Sequence, residues 1–167
     1  MPGASARLPV MRIYLVQHGA AVPRDEDPAR PLSPSGREDV KRVASFLGRS
    51  RLSVARVIHS GKRRALETAL LLAEVIGPGS VVEEAAAGLE PEDATDRLAD
   101  AVDGWTEDTV VVGHLPFMGR MVARLVTGNE DASVVHYMPG TVVCLERGGN
   151  GGGWTIVWVV RPELLGA

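Results

Sequence analysis

With a single cysteine in 167 residues, this chain cannot close an internal disulfide. That residue, Cys144, lies in Thr141-Val142-Val143-Cys144-Leu145 and reads as a small buried hydrophobe in a strand. No apolar stretch approaches the ~20 residues that a membrane-spanning helix needs. Residues 1–10 lack the apolar segment of a secretory signal. They are expected to form a disordered leader, residues 11–167 a single domain, and the cytoplasm is the expected compartment. A strong positive charge is missing too. The formal net charge of −3 argues against a general nucleic-acid binder. No Cys/His spacing suggests zinc, and there is no internal repeat or linker. What remains is ordinary for a globular protein, 45% hydrophobic and 23% charged residues in a chain long enough to bury a full core.

Helix-like and strand-like segments alternate. Met11 to Val16 is a continuous apolar run, the pattern of a central strand in a parallel sheet. A polar loop from Val22 to Leu32 follows. Ser33 has the character of an N-cap with Pro34 at the first helical position, and Val40, Val43, Ala44 and Leu47 share one helical face. Val54 to His59 is a second strand. A helix is expected from Lys62 to Ile76, burying Leu66, Ala69, Leu70 and Ala73 and ending at Gly77-Pro78. Val81-Val82 is a brief strand, and a helix is expected over Glu92 to Val102. Thr109 to Gly113 is a buried strand, followed by a helix over Phe117 to Val126 that closes at Gly128. Two last strands, Thr141 to Glu146 and Trp154 to Val160, flank the glycine run Gly148 to Gly153. That run lacks a Lys-Ser/Thr ending and no helix follows it, so it reads as a hairpin loop and not a phosphate loop. The order predicts a three-layer α/β/α fold, with a mostly parallel sheet and an antiparallel edge.

Three strand ends carry chemistry: His18-Gly19, then His59-Ser60 with Arg64 one turn on, then Gly113-His114-Leu115-Pro116. In open α/β sheets, ligands bind beyond the carboxyl ends of the strands. Two imidazoles, a guanidinium and two helix N-termini suit an anion. Gly19 is expected to let backbone approach a ligand closely.

These motifs resemble the histidine phosphatase superfamily, whose fold is phosphoglycerate mutase-like. His18-Gly19 matches the end of its Arg-His-Gly strand. Ser60, Arg64, Ala65 and Thr68 match its Ser-x-x-x-Arg-Ala-x-x-Thr, and Gly113-His114 matches its later Gly/Ser-His. The short chain, the Gly113-His114-Leu115-Pro116 ending and the segment from Arg30 to Gly36 resemble the small SixA-type phosphohistidine phosphatases. The resemblance implies His18 as nucleophile and carrier of the phosphoryl group. It implies Arg64 and His114 as catalytic groups that hold the phosphoryl oxygens, with Gln17, Gly19 and Ser60 lining the phosphate site. No cofactor and no metal is implied. One position departs from the pattern: neutral Gln17 stands where most members have arginine. Lys62 or Arg63 could return that charge, though both also read as solvated residues at a helix start. A general acid, where relatives use one, would come from Glu90, Glu92 or Asp93. His59 and His136 read as rim or structural residues.

The function implied is removal of phosphate from a phosphohistidine protein, such as a phosphotransfer domain or phosphocarrier, through a phospho-His18 intermediate. Neither a nucleic acid nor a membrane is implied as partner. Short connections should leave the site open to a protruding protein side chain. The alternatives are a small-molecule phosphomonoesterase, favoured by a usable acid, or a weakly active phosphoryl-binding regulatory module, suggested by Gln17.

Overall fold

A computed structural model describes residues 10–149 and 152–166. The expected leader, and the middle of the glycine run at 150 and 151, lie outside the described residues. Six strands form one sheet in the order β3-β2-β4-β1-β5-β6. They are β1 (Arg12–Gln17), β2 (Arg56–His59), β3 (Val81–Glu84), β4 (Thr109–Gly113), β5 (Val142–Arg147) and β6 (Trp154–Val160). β1, β2, β3 and β4 pair in parallel; β5 runs antiparallel to β1, and β6 antiparallel to β5. The fold is therefore the anticipated three-layer one, with β1 central and the antiparallel strands on one side.

Strand alternation sorts the core into two layers. From β1, Tyr14 and Val16 join one cluster, while Ile13 and Leu15 join the other. The first cluster also takes α1 (Pro34–Arg49) and α2 (Arg63–Ile76); the second takes α3 (Asp96–Asp103) and α4 (Phe117–Thr127). Cys144 is fully buried in the first layer, and burial pushes its thiol pKa up to about 12. Among the described residues, no helix is long and apolar enough to cross a membrane.

α1 begins and α4 ends as the sequence suggests. Ser33 caps α1, its hydroxyl accepting the Gly36 N–H at 3.0 Å, with Pro34 in the first turn. Gly128 ends α4 at φ 78°, the left-handed conformation that favours glycine. Three expectations need correction. The buried face of α2 is Ala65, Thr68, Ala69, Leu72, Ala73 and Ile76, whereas Leu70 is 50% exposed and Leu66 only partly covered. Small residues let α2 lie close on the sheet, and that proximity outweighs the larger side chains one step around the helix. α3 starts at Asp96, four residues later than expected, because Glu90–Asp93 closes a turn of its own, with Glu90 N–H given to the Asp93 carboxylate at 2.9 Å. The first of the two edge strands begins at Val142, and a short 3-10 helix, Pro162–Leu165, follows β6 where none was expected.

Candidate active site

β1, β2 and β4 all end at the same rim of the sheet, and each hands on to a residue of the expected site. His18 follows β1, Ser60 follows β2, and His114 follows β4. Parallel pairing sets Gln17 opposite Gly113 and His59 opposite Val112, so the three ends are level. The His18 and His114 rings meet with centroids 4.9 Å apart, tilted by 53°. Arg64, the second residue of α2, donates its Nε–H to His18 Nε2 at 3.2 Å. His114 Nε2 lies 2.6 Å from Ser60 Oγ. Thus His18, Arg64, His114 and Ser60 form one contiguous cluster.

The cluster fixes the protonation of His18. Its Nδ1 is 2.6 Å from the Gly19 carbonyl, which can only accept. The single proton of a neutral imidazole therefore sits on Nδ1. Nε2 is left with its lone pair exposed to Arg64. Burial pushes the His18 pKa down to about 4; the Gly19 hydrogen bond opposes this, and the charges of Arg64 and Arg30 add to it. His114 is pushed lower, to about 3, by burial first and then by His18, Arg64, Lys62 and Arg30. Both rings are neutral at neutral pH. His114 Nδ1 is buried without a partner. An orphan acceptor is tolerated better than an orphan N–H, which puts the His114 proton on Nε2, facing Ser60.

Arg64 sits at a depressed pKa as well, lowered first by burial and then by Arg30 and Arg24, with Glu90 opposing. A guanidinium remains charged under any such shift. The rim is therefore a half-buried cation beside two neutral imidazoles, one presenting a lone pair and one an N–H. That arrangement can attack an electrophile and bind the anionic oxygens around it.

The remaining expected residues fall into place differently. Gly19 gives its N–H to Thr68 Oγ1 at 3.0 Å, and the Thr68 hydroxyl goes on to the Arg64 carbonyl at 2.8 Å. Gly19 also has a packing role. A Cβ there would stand 2.7 Å from Val40 Cγ2, so its bareness lets the turn after β1 lie against α1. Thr68 is the residue that ties this turn to α2. Its signal in the sequence was its place at the end of the Ser-x-x-x-Arg-Ala-x-x-Thr motif. Gln17 is 8% exposed, and its Oε1 is buried without a partner.

Neither proposed substitute for its missing charge is free. Lys62 pairs with Glu90 at 2.9 Å and Arg63 with Glu67 at 3.1 Å. Of the three candidate acids, Glu90 is held by Lys62, Asp93 closes the local turn, and Glu92 is exposed. His59 is buried and accepts the Gly61 N–H on Nδ1 at 3.1 Å, shaping the turn that carries Ser60. His136 is exposed. Among the described residues, no group of three or more His, Cys, Asp or Glu could hold a metal ion.

Comparison with known proteins agrees with this geometry. The profile of the histidine phosphatase superfamily (branch 1) matches residues 13–89, the stretch that carries His18, Ser60 and Arg64. The phosphohistidine phosphatase SixA of Escherichia coli (strain K12) is 27% identical over 158 residues, covering 91% of this chain and 94% of SixA. These matches make the chain similar to the histidine phosphatase superfamily. It is SixA-like along nearly its whole length. The structure of the protein histidine phosphatase SixA complexed with tungstate superimposes with a TM-score of 0.80 at 22% identity, covering 93% of this chain and 99% of that one. The phosphoglycerate mutase of Bacillus anthracis str. Sterne superimposes at 0.69 and 12% identity, covering 93% and 95%; this likeness is one of fold.

Proposed function

We propose that this chain is a phosphohistidine phosphatase acting on a phosphorylated protein, with His18 as the nucleophile. The observation that carries the reading is the His18 tautomer: Nδ1–H is held by the Gly19 carbonyl, and the Nε2 lone pair sits beside Arg64 and His114. In the first step Nε2 attacks phosphorus of a phosphohistidine protonated on its other ring nitrogen, the bond from phosphorus to that ring breaks, and the substrate leaves as neutral imidazole while His18, keeping its Nδ1 proton, becomes the phospho-imidazolium. Arg64 turns its N–H groups from Nε2 to the phosphoryl oxygens, and His114 donates from Nε2. In the second step water attacks phospho-His18, the N–P bond breaks, and phosphate leaves. An imidazole leaving group, with an ordinary pKa near ~6.5, needs little help from an acid. The positive charge comes from the protein's own side chains, so the reaction proceeds without a metal.

A protein substrate is favoured by the site's position at the sheet rim, where His18, Ser60 and Arg64 are half-buried. The likeness to SixA supports the same substrate class. Histidine-containing phosphotransfer domains and phosphocarriers are the partners of that chemistry. Phosphomonoester hydrolysis is a second reading. Glu90 favours it, being the candidate carboxylate whose charge bears on Arg64. The deciding experiment is a panel of phosphohistidine protein, phosphohistidine peptide and phosphomonoesters, run with and without excess chelator. Preference for the phosphohistidine substrates, undiminished by chelator, is expected. Preference for monoesters that disappears in Glu90→Gln selects the second reading. Activity restored only by a divalent ion contradicts both.

A further inference from the structure

We propose that His59 is a positioning residue of this site: through the hydrogen bond at its Nδ1 it holds Ser60 against His114 and sets where α2 begins. The proposal rests on the phosphatase reading of the His18 site, whose parts His59 is argued to hold.

His59 closes β2 and is buried, 5% exposed. It shares its strand face with Val57, which packs in the first core layer. Such a place suits an apolar side chain, and an imidazole there is costly unless its nitrogens find partners. Nδ1 has one: it accepts the Gly61 N–H at 3.1 Å. The ring's own proton therefore sits on Nε2. The arrangement is that of an Asx turn, in which a side-chain acceptor takes the N–H two residues on.

That bond fixes a short link. Ser60, Gly61 and Lys62 alone join β2 to α2. Behind them the strand is anchored on both sides: the His59 carbonyl accepts the Ala85 N–H at 2.8 Å, and His59 pairs with Val112 of β4. Ahead of them α2 starts without a side-chain cap, since Lys62 at the N-cap makes no such bond. Gly61 turns the chain at φ +88°, and Glu84 Oε1 fills the place a Cβ would need. The link carries two parts of the site. Ser60 Oγ stands 2.6 Å from His114 Nε2, and Arg64 in the first turn of α2 donates to His18 Nε2 at 3.2 Å. A link that drifts would misplace both, and small misplacements of reacting groups are costly in rate.

Protonation of Nδ1 would break the hold. An imidazolium carries N–H on both nitrogens, so a donor would face the Gly61 donor. Beside His59 in the sheet stand Glu84 on β3 and the apolar Val112 on β4. On the α2 side, Lys62 is taken up by Glu90, Arg63 by Glu67, and Arg64 turns to His18. Burial holds the His59 pKa below its ordinary value, and Glu84 opposes this. The acceptor is thus in place at neutral pH and is lost in acid.

The test compares wild type, His59→Leu and His59→Asn by kinetics on a phosphohistidine protein, together with ring 15N NMR of the wild type. Leucine fills the space and accepts nothing; asparagine accepts the same N–H and does not titrate. His59→Leu is expected to lower kcat about tenfold with KM little changed, although its side chain suits the burial. His59→Asn is expected to recover most of that loss at neutral pH, and its kcat relative to wild type should rise as pH falls through the His59 titration. Wild-type kcat in a folded His59→Leu protein overturns the proposal. So does a His59→Asn protein no more active than His59→Leu, or a ratio to wild type that stays flat across that titration. In the wild-type spectra, the His114 ring signals must shift at the pH where His59 titrates. A His114 spectrum indifferent to that titration overturns the proposal, and this readout decides should either variant fail to fold. It needs no turnover: if wild type hydrolyses no phosphohistidine substrate, the functional reading fails, while the coupling of His59 to His114 still decides the positioning role.

Discussion

The two edges of the sheet use charge in opposite ways. At the amino edge of β1, Arg12 pairs with Glu146 at 2.9 Å, and its N–H is given to Asp108 at 2.9 Å. That hydrogen bond to Glu146 pushes the Arg12 pKa up: the charge is satisfied. At the carboxyl edge, Arg64 faces an imidazole lone pair, and His18, His114 and Arg64 are all pushed toward their neutral forms by burial first. A hollow of about 930 Å³ lies at the amino edge, walled by Arg12, Tyr14, Phe46 and Trp158. It contains none of the candidate site residues. Unsatisfied, desolvated groups converging at one rim identify the chemistry, because a site that binds and transforms an anion must keep its cations unspent.

The largest effects should fall at the carboxyl edge. His18→Ala is expected to abolish turnover while leaving the unfolding midpoint near that of wild type, since His18 is half-buried at a rim. Arg64→Ala and His114→Ala should each lower kcat/KM by at least about tenfold, through loss of charge-stabilising contacts. Steady-state kinetics on a phosphohistidine substrate checks all three. Substantial turnover by a folded His18→Ala protein would sink the contrast between the edges.

A middle-sized effect is expected in pH dependence. An unfolded histidine titrates near ~6.5, whereas folded His18 titrates at about 4 and His114 at about 3. Below pH ~6.5 the unfolded chain takes up protons that the native state refuses. Stability should thus be flat above that pH and fall as pH drops toward 4, by up to ~1.4 kcal/mol per pH unit for each histidine. Denaturant midpoints at a series of pH values measure the slope, and His18→Ala should reduce it. A slope unaltered by that change means His18 is not held neutral by its surroundings.

The smallest effect belongs to the amino edge. Arg12 and Glu146 are both about a third exposed, so Glu146→Gln should cost under ~1 kcal/mol of stability and leave kcat/KM unchanged. A drop in activity there would break the comparison by showing that the two edges communicate.

Much of this could be read from the residues. Strands β1 and β4 are continuous apolar runs that few other structures satisfy, and Ser33-Pro34 and Gly128 are local signals that act within one turn. The three strand ends followed from topology, which is set by the alternation of elements. What failed to show was whatever depends on closeness in space. The face of α2 was misjudged because Leu66 and Leu70 are more apolar than Ala65 and Thr68, yet the face that meets the core pairs those two with Ala69, Leu72, Ala73 and Ile76. The engagement of Lys62 by Glu90 joins residues 28 apart in sequence, across the β2–β3 region.

The central claim is that His18 Nε2 is the attacking atom, because Nδ1 is committed to the Gly19 carbonyl at 2.6 Å. It is tested most directly by trapping the phosphoryl-enzyme from a phosphohistidine protein and assigning the phosphorylated nitrogen by 1H–15N–31P NMR. The account predicts an acid-labile phosphoryl group on Nε2 of His18 and none in His18→Ala. A phosphoryl group on Nδ1, on His114, or on no histidine at all would contradict it.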